Sequence, residues 1–342
     1  MKEREMWLDY TKGFACFLVV YCHVVRGIIN ANIINTNLFL DFLDYAIYLF
    51  HMPLFFIISG YLYSISKKIN GIKDYFKFAI KKIINLGIPY LAFSIIFILL
   101  NYFSSGTNSE YSLKDIVYLY QNPIAHFWFL YDLIIIFLLI PILEILIKSK
   151  KVLLIFLLIG KVIFTIFNLK IVLITAFFND AFYFYIGNYL IKNINKNKVR
   201  LRTKYLIGIS FVGLSIICYV FENNNSYTFI LLVLKIVLAV LGSYEVLSII
   251  KKNNGKVLNI FGKYSFQIYL MHTIFSAFIR IVLIKFGIYN FFIHFTLGMI
   301  FGVGIPIVIS IISNRIVYTN IFIFPLRTFK QIKNKKEIKY EK

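Results

Sequence analysis

Two histidines stand inside apolar stretches of this 342-residue chain, at positions where a titratable group is costly and usually functional. His23 follows Lys12 by eleven residues. On a helix that is about 16 Å of rise and returns His23 to within about 20° of the face of Lys12, so a cation and an imidazole share one stripe. Arg26 lies one turn further on, and beside it Gly27 lets another helix or a ligand approach closely. His51 comes ten residues after Asp41, about 15 Å along a second helix, which brings it level with His23 if the two helices are antiparallel neighbours. Pro53 breaks the backbone hydrogen bonding just beyond, and Ser59 and Gly60 place small groups near the end of that run. An imidazole, neutral near pH 7, can take the proton of an attacking hydroxyl or accept an acyl group, and an arginine beside it can stabilise an oxyanion in a water-poor site. The plainer reading of either residue is a histidine hydrogen-bonded between packed helices. The alignment of His23 with Lys12 and Arg26 favours chemistry.

The elements that carry these residues follow from composition. With 60% hydrophobic and 15% charged residues and a mean hydropathy of +0.79, the chain is predicted to be an all-α, polytopic membrane protein. Ten spans are expected, at 13–33, 41–64, 84–103, 126–147, 152–169, 171–191, 205–221, 227–250, 257–284 and 291–313. Lys170 alone marks the turn between the fifth and sixth. The 37 Lys+Arg against 15 Asp+Glu would suggest nucleic acid in a soluble chain, but here they sit between apolar runs, and no nucleic-acid partner is expected. Thirty basic residues fall on alternate junctions, including Lys67 to Lys82, Lys192 to Lys204 and Arg315 to Lys342, while the opposite loops hold only Lys114, Lys170 and Lys285. The positive-inside rule therefore predicts both termini in the cytoplasm.

The start, with Glu3, Glu5 and Asp9 ahead of a full-length span, predicts a retained helix and no cleaved signal peptide. Residues 1–313 are expected to form one integral-membrane domain and residues 314–342 a basic cytoplasmic tail lying against anionic headgroups. Three cysteines in apolar segments supply no disulfide framework or zinc spacing, and no metal is expected. Asp132, Asp180, Lys161, Lys235 and Glu245 read most simply as buried pairs holding helices together. His126, His272 and His294 fall toward the outer ends of their spans, where two or three of them could line an outward cavity, and Trp128 fits an aromatic belt.

At these residues the sequence resembles the acyltransferase family 3 membrane proteins, particularly the polysaccharide O-acetyltransferases related to fucose 4-O-acetylase. The matching pieces are Asp9-Tyr10-Thr11-Lys12-Gly13 with Val19 to His23, the run Phe50-His51-Met52-Pro53-Leu54 through Tyr61, the stretch His126-Phe127-Trp128-Phe129-Leu130, and Tyr264 to His272. The family's basic residue, ten intervening positions and histidine are matched by Lys12 and His23, and its basic pair by Lys81-Lys82 ahead of Pro89-Tyr90, with Lys for the commoner Arg in both places. The resemblance implies a bacterial inner-membrane, multi-pass enzyme that binds no cofactor. It would move an acetyl group from acetyl-CoA, a donor substrate, to a hydroxyl of a cell-surface polysaccharide or lipid-linked oligosaccharide. Lys12, Lys81 and Lys82 would bind the donor, His23, His51 and Arg26 would be catalytic, and His126, Trp128 and His272 would lie on the acceptor side. Direct attack and an acetyl-histidine intermediate are both compatible with these residues. The competing readings are a glycan or acyl-group exporter and a membrane glycan polymerase.

Overall fold

The structure, a computed structural model, describes residues 6–66, 69–104, 111–169, 171–189, 201–223, 228–250, 256–315 and 317–340. Among these residues every regular element is helical. Helix α1 is Met6–Asn30 and α2 Leu38–Ser64; α3, Ile72–Lys82, passes through a π-helical turn, Ile83–Gly87, into α4, Ile88–Phe103. A short α5, Asp115–Tyr118, and a 3-10 turn, Ala125–Phe127, lead to α6, Trp128–Leu146. There follow α7 (Lys150–Ile166), α8 (Val172–Tyr189), α9 (Leu201–Asn223), α10 (Thr228–Ile250), α11 (Lys256–Lys263), α12 (Ser265–Lys285), α13 (Phe291–Ser313) and α14 (Pro325–Tyr340).

Eight of these stretches are long and apolar enough to cross a membrane. The predicted fifth and sixth spans correspond to α7 and α8, which fall outside that set: α7 has 17 residues, and α8 carries Asn179, Asp180 and Asn188. The predicted third span starts late, because α3 extends the same helical stretch back to Ile72. The π turn sits where Pro89 withholds a backbone N–H from the ladder. The predicted ninth span is two helices, α11 and α12, parted at Tyr264. Lys170, Lys67, Lys68 and most of the Lys192 to Lys204 junction lie outside the described residues.

Three helix ends close in the same way. Asn32, Asn168 and Gly287 take positive φ values of 55°, 46° and 71°. Each follows α1, α7 or α12, and the next residue's N–H reaches back to the carbonyl of Ile28, Phe164 or Leu283 at 3.2, 3.2 and 3.0 Å. This pattern satisfies carbonyls that would otherwise be orphaned, at a left-handed position that Gly and Asn tolerate best.

The chain divides into two compact units: Met1–Cys22, Asn35–Lys67 and Ile142–Ser265 in the first, and His23–Ile34, Lys68–Pro141 and Phe266–Lys342 in the second. Reciprocal glycine contacts hold the first. Where α2 meets α8, a side chain at Gly60 would overlap the Phe184 carbonyl, and one at Gly187 would overlap the Ile57 carbonyl. The α1 and α11 pair repeats the device, with Gly13 on the Leu258 carbonyl and Gly262 on that of Asp9. Small residues of this kind let helix backbones touch where apolar burial gives no drive, because lipid tails are as apolar as side chains. Cys16 donates its thiol hydrogen to the Ser265 carbonyl at 3.7 Å beside the second crossing.

In the second unit Tyr90 and Tyr131 donate to the carbonyls of Leu119 and Tyr120 at 2.6 and 2.9 Å, tying the loop after α4 to the helices that flank it. Gln267 joins α12 to Ser310 of α13 at 3.0 Å. The start of the expected tail is packed against other helices of the second unit. Asn320 and Thr328 are buried, Phe324 lies 6.2 Å ring to ring from Phe266, and α14 contacts the π turn.

Candidate active site

Three imidazoles converge in the second unit. The ring of His23 lies 5.1 Å from that of His272 and 5.8 Å from that of His126, and the latter two are 4.8 Å apart. Each comes from a different element, α1, α12 and the 3-10 turn before α6. The turn depends on Ala125, whose φ of 46° is unusual for a residue with a side chain and swings the chain so that His126 points inward. Tyr269 then pins the turn, its hydroxyl donating to the His126 carbonyl at 2.5 Å.

His126 and His272 are 5% and 0% exposed, while His23 is half-buried. Nδ1 of His272 lies 3.0 and 2.9 Å from the carbonyls of Ile268 and Tyr269. Both are acceptors, so that nitrogen carries the proton and Nε2 is left with its lone pair. Among the described residues no hydrogen-bond partner meets Nε2 of His272, either ring nitrogen of His126, Oγ1 of Thr273 or Nε of Arg280. Buried polar atoms are ordinarily satisfied, so these atoms have hydrogen-bonding capacity open to a ligand or to water.

The cluster opens into a cavity of about 590 Å³ whose lining belongs wholly to the second unit. His23, Arg26, Gly27 and Asn30 of α1, Asn101 of α4, His126, and Thr273, Ser276, Arg280 and Lys285 of α12 contribute its polar wall. The Arg280 guanidinium lies against Gly27, in the space a side chain there would fill. Tyr111 stands at the rim, where burial pushes its phenol above the ordinary range and keeps it a neutral donor.

The sequence-predicted residues divide accordingly. His23, Arg26 and His126 line the cavity, and His272 backs the two histidines. His51 belongs to the other unit: it is buried, and its Nδ1 donates to the Ile47 carbonyl at 2.9 Å. His294 is also outside the cavity, Nε2 donating to the Ile288 carbonyl at 2.7 Å in the connection between α12 and α13. Trp128 stands half-buried at the start of α6 and is not in the lining. Lys12 has Asp9 one turn before it, 3.8 Å away. Lys81 is exposed, whereas Lys82 lays its ammonium 3.5 Å from the centroid of the Phe137 ring. Of the groups expected as buried pairs, Lys235 instead forms an exposed pair with Glu222 at 2.6 Å, and Lys161 donates to the backbone carbonyl of Asn179 at 2.5 Å.

Arg280 was not among the expected site residues, although a signal existed. It lies eight residues after His272 with Ser276 between them, a polar stripe at helical spacing in an apolar span. Among the described residues no group of His, Cys, Asp or Glu has the arrangement to hold a metal ion.

A multi-pass helical protein with a histidine-floored, cationic cavity suits transfer chemistry at a membrane. The chain belongs to the acyltransferase 3 family, whose acyltransferase domain matches residues 6–311. Over 62 residues it is 44% identical to the nodulation protein NolL of Sinorhizobium fredii, a match covering 18% of this chain and 16% of that protein. No solved structure matches the chain.

Proposed function

We propose that the chain is an O-acetyltransferase of the fucose 4-O-acetylase-like branch, moving an acetyl group from cytoplasmic acetyl-CoA to a hydroxyl of a cell-surface polysaccharide or its lipid-linked precursor. The observation that carries this reading is the meeting of His23, His126 and His272 at the floor of a cavity that also holds Arg26 and Arg280. The acceptor oxygen attacks the thioester carbonyl carbon, forming a C–O bond, while His23 takes the hydroxyl proton. Arg26 stabilises the oxyanion, and collapse breaks the C–S bond, the thiolate leaving with a proton from the imidazolium. His272 is a positioning residue, its fixed Nδ1–H leaving Nε2 as an acceptor toward the other two rings.

The charge asymmetry supports a bacterial inner-membrane protein with both termini cytoplasmic, which puts Lys12, Lys81 and Lys82 on the donor side and the cavity rim at Lys285 on the acceptor side. The test is acetyl transfer from acetyl-CoA to purified glycan by protein in nanodiscs. His23→Gln should reduce transfer by about 10²-fold or more. His126→Gln or His272→Gln added to it should cost little further, because groups acting as a unit are non-additive. Wild-type transfer by His23→Gln at matched protein levels would end this reading.

A further inference from the structure

The cavity is strongly cationic for its depth. Its lining contains Arg26, Arg280 and Lys285 and no Asp or Glu. These residues stand toward the C-terminal ends of α1 and α12, where helix carbonyls attract cations, and α4 also ends at this wall. Lys285 is exposed, so its charge meets solvent, and the helix carbonyls at these ends offset part of the charge of the two arginines. A half-buried guanidinium such as that of Arg280, with no Asp or Glu in the cavity lining, gains from an anionic ligand.

Arg280 makes the demand most specific. Its guanidinium is held against Gly27, one turn and about 6 Å beyond His23, and its Nε has no hydrogen-bond partner among the described residues. A guanidinium presents a planar fork that matches a carboxylate or phosphate in two parallel hydrogen bonds. Thr273 Oγ1 and the Asn101 amide line the same wall and suit neutral hydroxyls.

Resting on the acyl-transfer reading, we propose that the acceptor carries an anionic oxygen group, a carboxylate or a phosphate, on the acylated sugar or its immediate neighbour, and that Arg280 binds it. The site thereby selects acidic or phosphate-bearing glycan over neutral glycan.

The test uses full-length protein in nanodiscs of neutral lipid and has two arms. In the first, without donor, melting is followed with glucuronate, inorganic phosphate or chloride at one ionic strength. Glucuronate or phosphate should stabilise the wild type beyond chloride, Arg280→Gln should lose that stabilisation and Arg280→Lys should keep part of it. In the second, acetyl-CoA is supplied with a glucuronate-containing oligosaccharide, its methyl ester or a sugar phosphate. KM for at least one charged acceptor should be about tenfold or more below that for the neutral ester, and which one distinguishes acidic sugar from phosphate. Equal KM for charged and neutral acceptors, anion stabilisation that survives Arg280→Gln, or displacement of the anion by coenzyme A would each overturn the proposal. Anion binding that depends on Arg280, with no transfer to any acceptor, would support the anion site and count against acyl transfer.

Discussion

The same substitution, glycine to alanine, should have three different outcomes at three positions. Gly213 of α9 has nothing within 4 Å of where a methyl would go. Alanine there should stabilise the helix by about 0.5–1 kcal/mol through propensity alone. At Gly60 the methyl meets the Phe184 carbonyl, a backbone group that cannot rotate away, so α2 and α8 must part. Overpacking of this kind costs about 1–3 kcal/mol, which exceeds the propensity gain. At Gly27 the obstacle is the tip of the Arg280 side chain, which can swing aside. The protein should then fold with a stability within about 1 kcal/mol of wild type, since propensity and crowding oppose each other. A displacement of about an ångström at a binding group can nonetheless cost 10²-fold in rate. Thermal melts in detergent and acetyl transfer measured side by side separate the three. Gly27→Ala with undiminished transfer would show that the position of the Arg280 guanidinium is irrelevant to the reaction. A Gly60→Ala protein as stable as Gly213→Ala would refute the close-contact argument.

A periplasm-active reporter fused after Lys204 should be inactive, because the charge asymmetry predicts a cytoplasmic junction there; full activity would reverse the orientation. Replacing Lys81 and Lys82 together with Gln should raise the KM for acetyl-CoA with little change in kcat, as expected when ground and transition states are bound alike; a kcat effect alone would remove them from the donor site. Lys82→Met should by itself lower stability by about 0.5–2 kcal/mol, measured by melting, through loss of the cation–π contact with Phe137. Ala125→Gly should melt at or above the wild-type temperature and Ala125→Val below it, because a φ of 46° suits glycine and is worst for a β-branched residue; the opposite order would contradict the geometry of the turn.

The helical, membrane-spanning character was legible because apolar runs and basic junctions are local signals. The break at Tyr264 was not, since it serves the seating of Gly262 on the Asp9 carbonyl, a contact made with a distant helix. The same distinction governs the site. His23 stands out through its spacing from Lys12, and His126 and His272 as polar residues near the outer ends of their spans, but no sequence period joins the three. Within the second unit the structure sets His126 and His272 beside His23, and their approach depends on the strained Ala125 and on the Tyr269 hydroxyl, neither of which is a local sequence signal. Arg280 escaped for a related reason: its stripe with Ser276 and His272 is visible, while its seat at Gly27 is a matter of packing.

The contacts that seat α1 on α11 and α12 join residues far apart in the chain, Cys16 and Ser265 being separated by 249 positions. A ribosome adding about 5–20 residues per second needs roughly 12–50 s to supply them. During that interval the first helix, already inserted and carrying His23, waits in the bilayer for its glycine seat at Gly262. The histidine cluster is therefore assembled among the last events of synthesis, when the segment bearing His272 follows α11 into the membrane.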